Sequence, residues 1–301
     1  MHPKCEKLFT KAKPQTRGGK IVQFPLTRII LAVLFLVPVS GINNLVAAYV
    51  TEPLPDTYYF IFNSILTIIC FLLYLYAYRL YTRYIEKREA YEISWGNSLK
   101  EFGSGSLIGL GMVIVLIGLF AVLKFYRIES FNSWTIIINA IIIFGMGAFL
   151  QELLIRGILF RIIEEVLGSW ITIIIVAFIF GLMHFGNENA TLFTSVSLFI
   201  TDILLSATFI YTRRIWLVWG IHYGWNFFQD GIFGMPNSGI TNLPSWINPS
   251  VNGPEWVTGG NFGLEASFIA IVLSLAVGIV ILKKAWDKDL FVKPIWKRNE
   301  Q

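Results

Sequence analysis

Charge is what this chain lacks. Charged residues are 14% of its 301 residues and hydrophobic residues 55%, whereas soluble globular domains carry about 25% charged residues. With a mean hydropathy of +0.64, the composition excludes an ordinary water-soluble domain. Cysteine is also scarce. Cys5 and Cys70 are the only two, too few for a disulfide framework or a CxxC metal knuckle, so both are expected as free thiols. Of the three histidines, His2 sits at the N-terminus, and His184 and His222 lie inside apolar helical patterns. The formal net charge is +5, but the basic residues cluster between apolar runs rather than along one face, so no nucleic-acid partner is expected.

What the chain has in abundance is apolar runs of membrane-crossing length. Spans are expected at about 28–50, 58–80, 105–126, 134–167, 170–185, 191–211, 215–230 and 264–282, since some 20 apolar residues cross a bilayer. The first run is too long for a signal-peptide core and lacks an A-x-A cleavage site, so it reads as an uncleaved span. The fourth exceeds one membrane thickness, and its Arg161–Glu165 end is expected to project into water. Residues 91–104 suit a short interfacial helix. The stretch 231–262 is rich in Gly, Pro, Asn and Ser and reads as a loop. The fold class expected is therefore all-α: a polytopic helical bundle of about eight transmembrane helices with a polar site inside the membrane.

Three parts follow along the chain. Residues 1–24, with Lys4, Lys7, Lys11, Lys13, Arg17 and Lys20, read as a flexible basic tail able to lie on anionic lipid. Residues 25–284 form a single transmembrane domain, and 285–301 a second tail. Eight spans put both termini on one side. Apart from Lys124, Arg127 and the borderline Arg28, every Lys and Arg lies in the tails or in the 79–100, 156–168 and 213–214 stretches. The segments 51–57, 186–190 and 231–262 have none, so both termini are expected to be cytoplasmic. The sequence shows no internal repeat, which leaves a proton-coupled transporter with little support.

Polar groups deep in a bilayer are expensive and are usually paired and functional. Gln151, Glu152 and Arg156 occur in QELLIR, His184 in FGLMHFGN, and His222 with Asn226 in HYGWN. Glu152 and Arg156 are i,i+4 and can pair, which by itself is equally the mark of a buried structural ion pair. Gly181, one turn before His184, permits a close helix contact, and a lone His on such a helix is more often packing than ligand. His222 and Asn226, also i,i+4, would read as interhelical glue worth about 1 kcal/mol. Together the motifs say more. A carboxylate with two imidazoles, Glu152, His184 and His222, can hold a metal such as zinc or activate water directly. An amide beside them can serve a developing oxyanion. Counted from the cytoplasmic boundary, Glu152 and His222 lie roughly 12 Å deep and His184 roughly 20 Å, an offset that tilt would have to close.

The order E-E-x-x-x-R, F-x-x-x-H, H-x-x-x-N/D on successive membrane helices resembles the CPBP family. These are the CAAX-protease and bacteriocin-processing intramembrane proteases, also called the Abi or type II CAAX prenyl endopeptidase family. The resemblance covers about 140–262, including GNENAT at 186–191 and FGMPNSG at 233–239. It implies an eight-helix endopeptidase, a hydrolase whose site opens towards the cytoplasm. In that family the first Glu and the second-motif His activate water, and the third-motif His and Asn stabilise the oxyanion. A metalloendopeptidase mechanism with zinc is contested within it. Implied partners are membrane lipids and a peptide or membrane-protein substrate, prenylated or not.

One residue departs from the pattern. The first Glu is Gln151 here, and an amide neither accepts a proton near neutral pH nor ligates metal well. Three readings stay open: Glu152 has taken over, the chain is a non-proteolytic immunity, scaffolding or peptide-binding relative, or Gln151 is an introduced Glu→Gln change. Trp246 and Trp256 mark the 231–262 loop either as a cap over the site or as an interfacial surface loop.

Overall fold

A computed structural model describes residues 1–241 and 243–298. Among the described residues eight long helices form where the apolar runs lie, because in lipid a helix satisfies its own backbone groups. They are α1 (Pro25–Thr51), α2 (Asp56–Tyr84), α3 (Ser98–Val122), α4 (Thr135–Leu167), α5 (Ser169–Met183), α6 (Leu192–Thr212), α7 (residues 215–232) and α8 (Phe268–Trp286). Six of them, all but α5 and α7, are long and apolar enough to cross a membrane, and α5 is a shorter apolar helix. The chain is thus an integral, multi-pass membrane protein.

Local chemistry sets the boundaries. Pro25 opens α1 behind an extended Phe24, a position where the missing N–H is no loss. Thr191 and Thr194 form a reciprocal capping box at the start of α6. Ser267 caps α8 by accepting from the Ile269 and Ala270 amides. Between α4 and α5 the chain reverses at Gly168, whose φ of +77° favours glycine. Two helices widen into π turns directly after site residues: α4 over Leu153–Phe160, after Glu152, and α7 over Phe227–Ile232, after Asn226. Such π segments recur at functional sites.

The tightest helix pair is α3 with α7. A Cβ on Gly109 would stand 2.6 Å from the Ile221 carbonyl oxygen, and one on Gly224 would stand 2.5 Å from that of Ser106. Only glycine lets the two backbones approach so closely. The expected close contact at Gly181 is also present, where a Cβ would come within 2.6 Å of the Ser195 carbonyl oxygen on α6. These contacts fix α5, α6 and α7 around one space.

The first and last described segments lie at one end, called here the terminal end, where the Cys5 thiol donates to the Leu290 carbonyl oxygen at 3.5 Å. Residues 1–24 are not the free tail their composition suggests. Cys5, Leu8 and Phe9 are buried, and the Leu8 carbonyl accepts from Arg161 Nη1 at 3.0 Å. A few apolar side chains and a buried guanidinium suffice to pin the segment. The segment after α8 is held in the same way, through a backbone bond from Ser169 to Val292 at 2.9 Å. The 285–301 tail is therefore packed over its described part, and residues 299–301 lie outside the described residues.

Two further expectations need correction. The 91–104 stretch is not an interfacial helix: Tyr91–Ile93 makes one 3-10 turn and α3 already begins at Ser98. Nor is 231–262 wholly loop, because its Ile247–Val251 strand (β2) pairs antiparallel with Tyr126–Phe131 (β1) at the far end. No hydrophobic run announces this ribbon. Long-range pairing of polar segments made it.

Candidate active site

The site begins with Arg156. Its Nε lies 3.1 Å from Glu152 Oε2, as the i,i+4 spacing predicts, and its Nη2 lies 2.5 Å from Asp202 Oδ1 on α6. All three side chains are fully buried. Ser206 Oγ donates to the second Asp202 oxygen at 3.0 Å. A guanidinium between two carboxylates ties α4 to α6 and satisfies charges that could not stand alone at this depth. Asp202 is absent from the sequence reading, although an acid inside the apolar run LFITDILL is the same kind of signal that exposed Glu152.

The remaining Glu152 oxygen, Oε1, lies 2.8 Å from His222 Nδ1. A carboxylate held by a guanidinium accepts, so Nδ1 carries the proton and Nε2 is the free ring nitrogen. His184 reaches the same state by another route. Its Nδ1 is 2.8 Å from the Phe180 carbonyl oxygen, which can only accept, so its Nε2 is free as well. The two imidazoles do not touch each other directly. Phe180 packs against both, its ring centroid 4.7 Å from His184 and 6.4 Å from His222.

That cavity has a volume of about 220 Å³ and is lined by Gln151, His184, His222 and Asn226 together with Phe144, Gly147, Phe180 and Trp225. Of the six residues picked out by sequence, these four face the cavity. Glu152 and Arg156 lie behind it, fully buried. Gln151 Oε1 and Trp225 Nε1 are buried without a hydrogen-bond partner. An unpaired acceptor and an unpaired donor on one cavity wall call for a polar guest, since leaving either unmet costs about 1–3 kcal/mol.

Beyond the helices, the wall is completed by Asn187, Ser238, Ile240, Leu243 and Glu265. Asn187 Nδ2 donates to the Ser238 carbonyl at 2.8 Å, which joins the two loop stretches 186–191 and 233–239. Glu265 is fixed by Gln229 Nε2 at 2.8 Å and Ser238 Oγ at 3.2 Å, and its burial pushes the carboxyl pKa up. Sequence reading missed Glu265, which stands at the very start of the expected 264–282 span, where an acid reads as lying at the interface rather than buried. The cap is this segment rather than the two tryptophans: Trp246 packs on Phe131, with ring centroids 5.3 Å apart, and Trp256 is 62% exposed.

A metal fits this donor set poorly. The candidate ligands Glu152, His184 and His222 are not gathered as one, for the Glu152 oxygens are taken by Arg156 and His222. Among the described residues no three His, Cys, Asp or Glu side chains are placed to hold a metal ion. Gln151 adds an amide, a weak ligand.

Residues 132–228 match the family model described as Rce1-like, type II CAAX prenyl endopeptidase, the family that the three motifs resemble. No curated protein and no solved structure matches the chain.

Proposed function

We propose that the chain is an intramembrane endopeptidase of the CPBP type, hydrolysing a peptide bond with water as nucleophile. The observation that carries this is the pair of imidazoles with free Nε2 atoms on one buried cavity, one of them held by Glu152. The family match assigns residues 132–228 to a protease class in general terms. Which residue does what is our reading of the geometry.

In that reading Arg156 and Asp202 fix Glu152, and Glu152 fixes the tautomer and aim of His222. Glu152 is a positioning residue, since it does not line the cavity and both its oxygens are engaged. A carboxylate at position 151 would face the cavity beside His184 and His222 and serve as general base. Asn226, whose side chain makes no hydrogen bond among the described residues, would donate to the oxyanion. With Gln151 in place, that base is missing and the two imidazoles alone must accept the water proton. No step needs a metal.

A second reading has its own support. The Gln151 amide offers both a donor and an acceptor at the cavity wall, and its acceptor is unmet. That suits holding a peptide without cutting it, as an immunity or scaffolding factor would.

The test compares the chain with its Gln151→Glu variant in detergent against membrane peptides, with cleavage read by mass spectrometry. Cleavage by the variant alone, abolished again by His184→Ala or His222→Ala, is the expected result. Cleavage that survives both histidine changes would sink the protease mechanism. Tight peptide binding with no cleavage by any variant would favour the binding protein.

A further inference from the structure

The buried arginines of the terminal end are matched to acids. Arg28 and Arg161 share Glu86, Arg88 bridges Glu86 and Glu92, Arg213 meets Glu164, and Arg214 meets Glu101. One face of the same end is the exception. Lys7, Lys11, Arg79, Arg83 and Lys87 line a single groove of about 1080 Å³. All five are exposed, and none forms an ion pair among the described residues. The one acid on the groove wall is Glu89. Arg79 and Arg83 stand at i,i+4 on α2, where like charges repel.

Three segments of the chain are locked together to make this groove. Arg79 and Arg83 end α2, Lys87 opens the connection to α3, and Lys7 and Lys11 come from the docked N-terminal segment. Arg88, already neutralised by Glu86 and Glu92, ties them from beneath. Its Nη1 donates to the Glu89 carbonyl at 2.9 Å and to the Lys7 carbonyl at 3.5 Å. Its amide donates to the Thr82 carbonyl at 3.1 Å, and the Lys11 amide to the Glu86 carbonyl at 2.9 Å. Lys7 Nζ stands over the Tyr91 ring, 4.9 Å from its centroid. The saturated net thus serves as the floor of an unsaturated wall. Holding five cations around one carboxylate is self-repulsive until an anion enters.

The aromatic residues nearby say where that anion comes from. Tyr76 and Tyr84 are exposed on the same end of α2, and Trp95 is exposed on the connection, stacked on Trp216 at 5.0 Å. Exposed Tyr and Trp beside basic residues at the end of a membrane helix mark the headgroup layer, into which long basic side chains reach. A guanidinium fork holds phosphate oxygens in pairs. We propose that the groove binds the phosphate-bearing headgroup of an anionic phospholipid from the leaflet at the terminal end. Arg79 and Arg83 hold the phosphate, and Lys7, Lys11 and Lys87 enclose it. A soluble polyanion would have no use for the aromatic rim. The lipid site stands independently of the endopeptidase reading.

The test titrates the full chain, delipidated in neutral detergent, with short-chain phosphatidylglycerol or phosphatidylcholine, and counts bound lipid by native mass spectrometry. Phosphatidylglycerol should bind about tenfold tighter or more. Each basic residue near an anionic headgroup is worth about fivefold in binding, so Arg79→Gln with Arg83→Gln should weaken it about twenty-five-fold. Lys11→Gln with Lys87→Gln, on the other two segments, should do much the same, so a folding defect in one pair cannot decide the result. Lys293→Gln with Lys297→Gln removes equal charge outside the groove and should leave the affinity as it was. Equal binding of the two lipids, or an equal loss in the Lys293 and Lys297 control, would overturn the site, since only overall charge would then be at work. Displacement of the lipid by an equal concentration of glycerol 3-phosphate would mean a soluble phosphate ligand and overturn the lipid assignment.

Discussion

The two halves of this bundle use the same residue types to opposite ends. At the terminal end Arg28, Glu86, Arg88, Glu92 and Arg161 form a closed net, with Arg28–Glu86 at 2.6 Å, Arg88–Glu86 at 2.8 Å and Arg88–Glu92 at 2.6 Å. Tyr81 Oη adds a bond to Glu86 at 2.9 Å, and Tyr78 Oη donates to Glu92. At the far end Gln151, Trp225 and Asn226 face a cavity with capacity to spare. Guanidiniums and carboxylates matched to one another make a structural plug. Polar groups that face open space make a site. Type and burial alone do not separate the two, since Arg161 and Glu152 are equally buried.

The sharpest way to break the contrast is to unpair the plug. Arg161→Ala leaves the Glu86 and Glu92 carboxylates short of a partner inside the protein. It should destabilise the chain by about 3–5 kcal/mol, read as a collapse of the thermal melt in detergent. A melt within a degree or two of the parent would mean the net is not structural.

Gly224→Val tests the frame that carries the site. The added branch meets the Ser106 backbone and should cost about 1–3 kcal/mol by overpacking. It should also displace His222 and Asn226, so that peptide binding falls more than stability does. Equal losses in both would show that α3 and α7 can separate without disturbing the cavity.

Acid should distinguish the halves by sign. Burial by itself would raise the Glu86 carboxyl, but the Arg161, Arg88 and Arg28 guanidiniums outweigh it and hold it well below the usual carboxylate range. Burial likewise opposes, and Arg88 with Arg161 overcomes, a low value at Glu92. A carboxyl with a lowered folded pKa gives stability that is complete above its unfolded value of about 4.3. That stability is lost as pH falls towards the folded value. The melting temperature should therefore hold from pH 7 to about 5 and drop below about 4. A Glu86→Gln variant should start lower and drop less. Glu265 has the opposite sign: burial raises its pKa, so it should not contribute to the acid loss.

The smallest effect is expected at the cavity wall. Gln151→Leu removes the unpartnered oxygen and should leave stability unchanged or raise it by about 1 kcal/mol, while abolishing peptide binding. A marked loss of stability would show that Gln151 is held by more than the cavity.

Much of this was legible in the linear chain. Apolar runs placed the long helices, most of them to within a few residues and α3 seven residues late at its start, because lipid leaves the backbone no alternative. The i,i+4 spacing foretold the Glu152–Arg156 pair, and HYGWN put His222 and Asn226 on one cavity face. Asp202 went unread although its signal was present. The burial of Glu265, the β1–β2 ribbon and the docking of residues 1–24 were not readable, since each depends on partners outside its own segment of the chain.

Sequence by itself determined that the protein lives in a membrane, roughly where its long helices lie, and several of the polar residues at depth. Those follow from the free energy of moving each segment out of water, a sum over local composition. Only the tertiary structure decided that Glu152 serves His222 and that Asp202 shares Arg156. Those are pairings, and a pairing depends on where a distant helix ends up.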